Sequence, residues 1–148
     1  MFSSIVVGTD GSETAREAVS QAVELAKRLD ASLHVVSAYE PGAGQAITDE
    51  TTSATDPDRQ WAIKLREEVD ATLGEAAAIA IEAGVTVAVY ARQGDAADAI
   101  LDVAEERGAD LVIIGNKGMT GAKRFLLGSV PNKVSHYAPC AVMIIRTR

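Results

Sequence analysis

The residues best suited to chemistry lie late in the chain. Gly115-Asn-Lys-Gly118 is followed by nine residues and then by Gly128-Ser129, a G-x2-G-x9-G-S/T spacing. Glycines let a backbone come close to a ligand, and successive N–H groups in such a stretch form a concavity that holds an anion. Ser129 adds a hydroxyl where a short helix begins, and a helix N-terminus offers unpaired amides to a phosphate. Lys117, Lys123, Arg124 and Lys133 surround these residues with positive charge. The chemistry this pattern suits is the holding of a polyphosphate.

Other phosphate motifs fail. No G-x-x-x-x-G-K-S/T string exists, which excludes a P-loop. Gly42-Ala-Gly44 starts like a dinucleotide fingerprint but has no third glycine and sits in a polar stretch. Candidates for bond-making chemistry are few. His34 falls inside an apolar run, where a packed, hydrogen-bonded role is expected, and His136 falls at a helix C-terminus, where it suits the dipole. Neither has a Ser or Cys nucleophile at a recognisable spacing. Cys140, the only cysteine, reads as a small buried hydrophobe. We expect no catalytic residues and no metal site. A receiver-type phosphorylation domain, with Asp10 as the acid after its first strand, is set aside, because the third strand ends in Arg92-Gln93 without the phospho-acceptor Asp.

The elements that must position the glycine array alternate in period. Ser4–Gly8 is a β-branched run without polar alternation, as in a strand buried on both faces. Either Ser12 or a Thr14/Glu17 capping box opens the helix carrying Ala15, Ala18, Val19, Ala22, Leu25, Ala26 and Leu29 on one face. Leu33–Ala38 is a second strand. The stretch from Tyr39 to about Pro57 is rich in Gly, Pro, Ser, Thr and acids, and reads as a flexible surface loop over about 40–57. Trp61 to Ala80 marks a second helix stopped by Gly84, and Val85–Ala91 a third strand. Ala97 to Ala104 gives a third helix stopped by Gly108, Leu111–Ile114 a fourth strand, Val130–Tyr137 a last helix and Ala141–Ile145 a fifth strand. This order predicts a single α/β domain over 1–148, with right-handed crossovers and a parallel sheet covered on both faces. Ligands of such sheets bind beyond the strand C-termini, where strand order reverses.

At these positions the chain resembles the universal stress protein family, in its single-domain ATP-binding type. The resemblance runs from Ile5-Val-Val-Gly-Thr-Asp10-Gly-Ser12 to Pro139-Cys-Ala-Val-Met-Ile-Ile145, and the glycine array followed by Val130 is that family's nucleotide motif. Pro131 is a mild departure, tolerated early in a helix. The resemblance implies a three-layer α/β/α sandwich of the adenine nucleotide alpha hydrolase-like type, its five-stranded parallel sheet ordered 3-2-1-4-5. It implies ATP, with or without Mg, as ligand. Asp10 would contact the adenosine end and the backbone of Ala38 the adenine edge. Gly115, Gly118, Gly128 and Ser129 would hold ribose and phosphates, with Gly8, Thr9, Ile114, Lys117 and Val130 lining the site. It also implies a homodimer in which Ala141–Ile145 pairs across a two-fold axis, since an apolar edge strand needs a partner. The expected function is a regulatory nucleotide-binding module of a stress response, with at most slow hydrolysis. The alternative is a genuine phosphohydrolase or nucleotidyl-transfer enzyme on the same scaffold.

Composition agrees once its distribution is read. The 148 residues carry a net charge of −7 with 47% hydrophobic content, which suits an ordinary globular protein and disfavours nucleic-acid partners. Residues 1–110 hold eight bases against all 21 acids, a net of −13, whereas residues 111–148 hold six bases and no acid. The basic segment is the one that carries the array. One cysteine, an N-terminus without a basic leader and no apolar run of about 20 residues lead us to expect a cytoplasmic protein without a membrane span.

Overall fold

The computed structural model describes residues 1–39, 57–116 and 127–147. In chain order the elements are β1 (Ser4–Gly8), α1 (Glu13–Leu29), β2 (Ser32–Tyr39), α2 (Pro57–Glu82), β3 (Val87–Gln93), α3 (Ala96–Glu106), β4 (Leu111–Gly115), α4 (Ser129–Tyr137) and β5 (Ala141–Ile145). The strands form one parallel sheet in the order β3-β2-β1-β4-β5. The expected sheet order and layering are both present. The loop expected over 40–57 falls outside the described residues except for Pro57, which opens α2.

Apolar side chains fill both sides of the central strands. On one side Ile5, Val7, Leu33, Val35, Leu111 and Ile113 pack under α1 and α2. On the other, Val6, Val36, Val112 and Ile114 meet Ile100, Val103 and Ala104 of α3 and Val134 of α4. Alternate residues of each strand therefore enter opposite cores, which is why these runs lack polar alternation. Asp110 fixes the start of two strands together. Burial acts to raise its pKa, but bonds from the amides of Ser3 and Ser4 and the Ser3 hydroxyl outweigh this and hold the carboxylate below its ordinary range.

Three helices leave through the same turn. After α2, Val85 N–H donates to Ala80 O and Gly84 N–H to Ile81 O, with Gly84 at φ +80°. Ala109 and Gly108 repeat the pattern on Ala104 and Glu105, and Ala31 and Asp30 repeat it on Ala26 and Lys27. This paired 6→1 and 5→2 bonding satisfies the last carbonyls of each helix. It also explains two departures from expectation. Val85 is held in the turn after α2 and packs into the core, so β3 begins at Val87 and runs to Gln93, two residues later than Val85–Ala91. At the end of α1 the left-handed residue is Asp30, φ +53°, where no glycine announced it. At the helix start, Ser12 wins the cap: its hydroxyl accepts Ala15 N–H at 3.2 Å, and Thr14 is the second helical residue instead.

Candidate functional site

β1 and β4 are neighbours although β2 lies on the other side of β1, so strand order reverses between them. A crevice beyond the strand C-termini is expected at that point. The chain there is shaped by local bonds. Thr9, 9% exposed, extends the β1–β2 pairing with a bond from its N–H to Val36 O at 2.9 Å, and its hydroxyl accepts Gly11 N–H at 3.2 Å. Asp10 is exposed, and its Oδ1 accepts Ser12 N–H at 2.9 Å. Asp10 thus forms an Asx turn that hands the chain to its cap residue while its carboxylate stands at the rim. Ala38 lies half-buried near the end of β2, packed toward α3.

From the other side come Ile114, Gly115 and Asn116, all buried, and then Gly128, Ser129 and Val130. Gly115 is a glycine for a packing reason. A Cβ there would lie 2.6 Å from Thr14 Cγ2 and 3.3 Å from Thr14 O, so β4 and the first turn of α1 touch without a side chain between them. Gly8, at the end of β1, is likewise hemmed in by Ile100. Gly128 is the N-cap of α4 at φ −62° and ψ 167°, extended backbone open to any residue. Among the described residues no side chain caps this helix, and its first turn holds no acid. Gly128 N–H is engaged by Asn116 O at 3.0 Å, and the first intrahelical bond runs from Asn132 N–H to Gly128 O. Pro131 has no N–H to leave unpaired, so the first-turn amides of α4 without a backbone partner among the described residues are those of Ser129 and Val130.

Of the expected site residues, Gly8, Thr9, Asp10, Ala38, Ile114, Gly115, Gly128, Ser129 and Val130 stand at the C-terminal ends of β1, β2 and β4 and at the start of α4. Lys117 and Gly118 lie outside the described residues, as do Lys123 and Arg124. Lys133 departs from expectation. Its Nζ is 2.8 Å from Asp98 Oδ1 and 3.4 Å from Asp95 Oδ2, and these bonds raise its pKa, Asp98 foremost. It therefore joins α4 to the N-terminus of α3, where acids also suit the dipole, instead of adding free charge to the array. Sequence reasoning passed over Asn116 and Thr147. Asn116 stood in view as a variable position of the array, but Thr147 carried no signal at all.

The histidines stay away from the rim. His34 sits within β2, level with Val6 and Ala88, with Nδ1 2.9 Å from the Tyr90 hydroxyl. Burial, with help from the nearby Arg107 charge, lowers its pKa below 6.5. The unfolded chain therefore takes up a proton near pH 6.5 that the folded protein resists. His34 contributes stability above that pH, and the contribution is lost as pH falls through 6.5 toward the folded value. We expect the urea midpoint to drop between pH 7.5 and 5.5, and His34→Gln to flatten that drop; an unchanged pH profile in the variant would contradict it. Cys140 is half-buried, and burial foremost pushes its thiol up, which makes it a poor nucleophile. Among the described residues, no group of three or more His, Cys, Asp or Glu is placed to hold a metal, and no helix is long and apolar enough to cross a membrane.

Fold and rim together define a doubly wound α/β protein of the adenine nucleotide alpha hydrolase-like type. The profile of the universal stress protein family matches residues 1–146. Universal stress protein YxiE of Bacillus subtilis is 32% identical over 150 residues, spanning 99% of this chain and 100% of that one. Among solved structures, a universal stress protein in complex with cAMP superimposes with a TM-score of 0.74 at 30% identity, covering 99% of this chain and 98% of its own. One from Archaeoglobus fulgidus in complex with dAMP gives 0.67 at 26% identity, covering 97% and 98%. The chain belongs to the universal stress protein family.

Proposed function

We propose that this protein binds ATP in the crevice between β1 and β4, as a regulatory module with at most slow turnover. The observation that carries the reading is the start of α4, whose cap residue Gly128 supplies no side chain and is bonded to Asn116 directly after β4, one of the two strands between which the order reverses. The first-turn amides of Ser129 and Val130 and the Ser129 hydroxyl suit phosphate oxygens, and the helix dipole favours their charge. Asp10 and the Ala38 backbone stand on the far side of the crevice, suited to a ribose and an adenine edge. The cAMP and dAMP complexes of related proteins support an adenine ligand. Lys117, Lys123 and Arg124 would add charge at the phosphates.

The described residues argue for binding over turnover. Hydrolysis needs an oriented water and charge stabilisation of the transferring group. Asp10 is the acid that β1 brings to the rim; it is engaged in its turn, and the adenosine contact proposed for it would leave it poorly placed as a base. ATP at about 100 times its dissociation constant should raise the melting midpoint by roughly 5–10 °C. Mass spectrometry of nucleotide released after incubation should recover ATP. No shift and no retained nucleotide would overturn the binding reading. ADP accumulating at about 1 s⁻¹ or faster, and abolished by Asp10→Ala, would favour the phosphohydrolase instead.

The same proposal includes an isologous dimer through β5. Among the described strands β5 pairs only with β4, and Met143 is 38% exposed on it. A lysine on an edge strand blocks pairing. We expect a dimeric mass for the wild type in sedimentation at micromolar concentration and a monomeric one for Met143→Lys. A monomeric wild type would remove the dimer.

A further inference from the structure

We propose that Asn116 is the positioning residue for the phosphate end of the site, acting through a latch to the chain that leaves β5. The inference rests on the nucleotide reading above. Asn116 directly follows β4 and is only 7% exposed. A carboxamide so placed is tolerated when its polar atoms are bonded. Its N–H donates to Ile145 O at 3.0 Å, and its carbonyl accepts Gly128 N–H at 3.0 Å. Its Oδ1 accepts Thr147 N–H at 3.2 Å. The Thr147 hydroxyl in turn lies 2.8 Å from that of Thr14, itself 6% exposed in the first turn of α1.

One residue thus joins the end of β4, the cap of α4 and the chain beyond β5, and reaches α1 through Thr147. The bond to Gly128 sets where α4 begins and hence where the Ser129 and Val130 amides point. The side-chain bond to Thr147 sets the tilt of the Asn116 peptide that makes this contact. Donors held in place bind an anion better than donors that must be ordered first. Removing the latch leaves the backbone bonds intact but loosens that aim. Asp10, which follows β1, and Ala38, which lies in β2, make none of these bonds. The latch therefore distinguishes the two ends of a nucleotide.

The test is a titration of ATP and of adenosine against the wild type, Asn116→Ala, Thr147→Pro and the double variant. Asn116→Ala deletes the acceptor, and Thr147→Pro deletes the donor, together with the hydroxyl that meets Thr14, at the second-to-last residue, where folding is least at risk. Thr147→Val, which deletes the hydroxyl and keeps the N–H, is the control and should leave ATP affinity near that of the wild type. Asn116→Ala and Thr147→Pro should each weaken ATP roughly three- to tenfold and adenosine less than twofold. Apart from any effect that Thr147→Val shows by itself, the double variant should lose little more than either, because both remove the Asn116–Thr147 bond. Equal losses for ATP and adenosine, no loss for ATP, or fully additive losses would overturn the proposal. Amide exchange supplies a readout independent of ligand: protection of Gly128 should fall in both single variants, and unchanged protection overturns the latch. Failure of the wild type to bind ATP while Gly128 protection falls as stated would overturn the nucleotide reading and leave the latch as a structural tie.

Discussion

Gly115→Ala should cost about 2–3 kcal/mol of stability, the usual scale of overpacking a site that cannot give way. The new methyl would stand 2.6 Å from Thr14 Cγ2 and 3.3 Å from the Thr14 carbonyl. Neither neighbour moves easily. Thr14 is β-branched, with few rotamers open to it in a helix, and its hydroxyl is already engaged with Thr147. Relief requires α1 to shift away from β4, which would disturb the Asp10–Ser12 turn as well. The prediction has an internal control. Thr14→Ser removes the clashing methyl and keeps the hydroxyl, so Gly115→Ala/Thr14→Ser should recover most of the loss in urea denaturation. If Gly115→Ala alone leaves the midpoint unmoved, β4 and α1 are not in the contact described.

Ser129→Asp should separate binding from stability by moving them in opposite directions. A carboxylate in the first turn of a helix is favourable, and α4 has no acid there and no side-chain cap. Stability should rise by about 0.3–1 kcal/mol. The same charge would occupy the place proposed for the phosphates. A like charge about 4 Å away, at the effective dielectric of a protein surface, opposes binding by up to ~4 kcal/mol. ATP affinity should therefore fall by about a hundredfold or more, read by calorimetry beside a thermal melt. Unchanged ATP affinity in a stabilised variant would show that the start of α4 is not where the phosphates lie.

Much of the fold was legible because it is written in short-range pattern. Runs such as SIVVG and LVII lack alternation because alternate residues enter two different cores, and the stops at Gly84 and Gly108 are glycines in left-handed backbone. Boundaries failed where a turn took residues from a strand. Val85 has the composition of β3 but the hydrogen bonds of the turn after α2. Asp30 shows the converse, a left-handed C-terminal turn with no glycine to mark it.

The site divides along the same line. Asp10 and the glycine array were visible as residue types following strands, and the basic count after residue 110 drew attention to the same segment. What each residue is for was less visible. Gly115 looked like a ligand contact, yet its lack of a side chain is required by Thr14, 101 positions earlier, whose methyl would meet a Cβ there. Lys133 looked like free charge for a phosphate, and the carboxylates of Asp98 in α3 and of the residue capping that helix, Asp95, engage it.

By itself the sequence determined the alternation of strands and helices, the family, and which segment is the candidate for an anion, because periodicity, glycine spacing and charge are local properties of the chain. Tertiary structure decided which groups remain available to a ligand. Asn116 and Thr147 are 31 residues apart and meet only because β4 and β5 pair in register. Hydrogen-bond donors are used up by such long-range partners, and no local pattern records which of them are left.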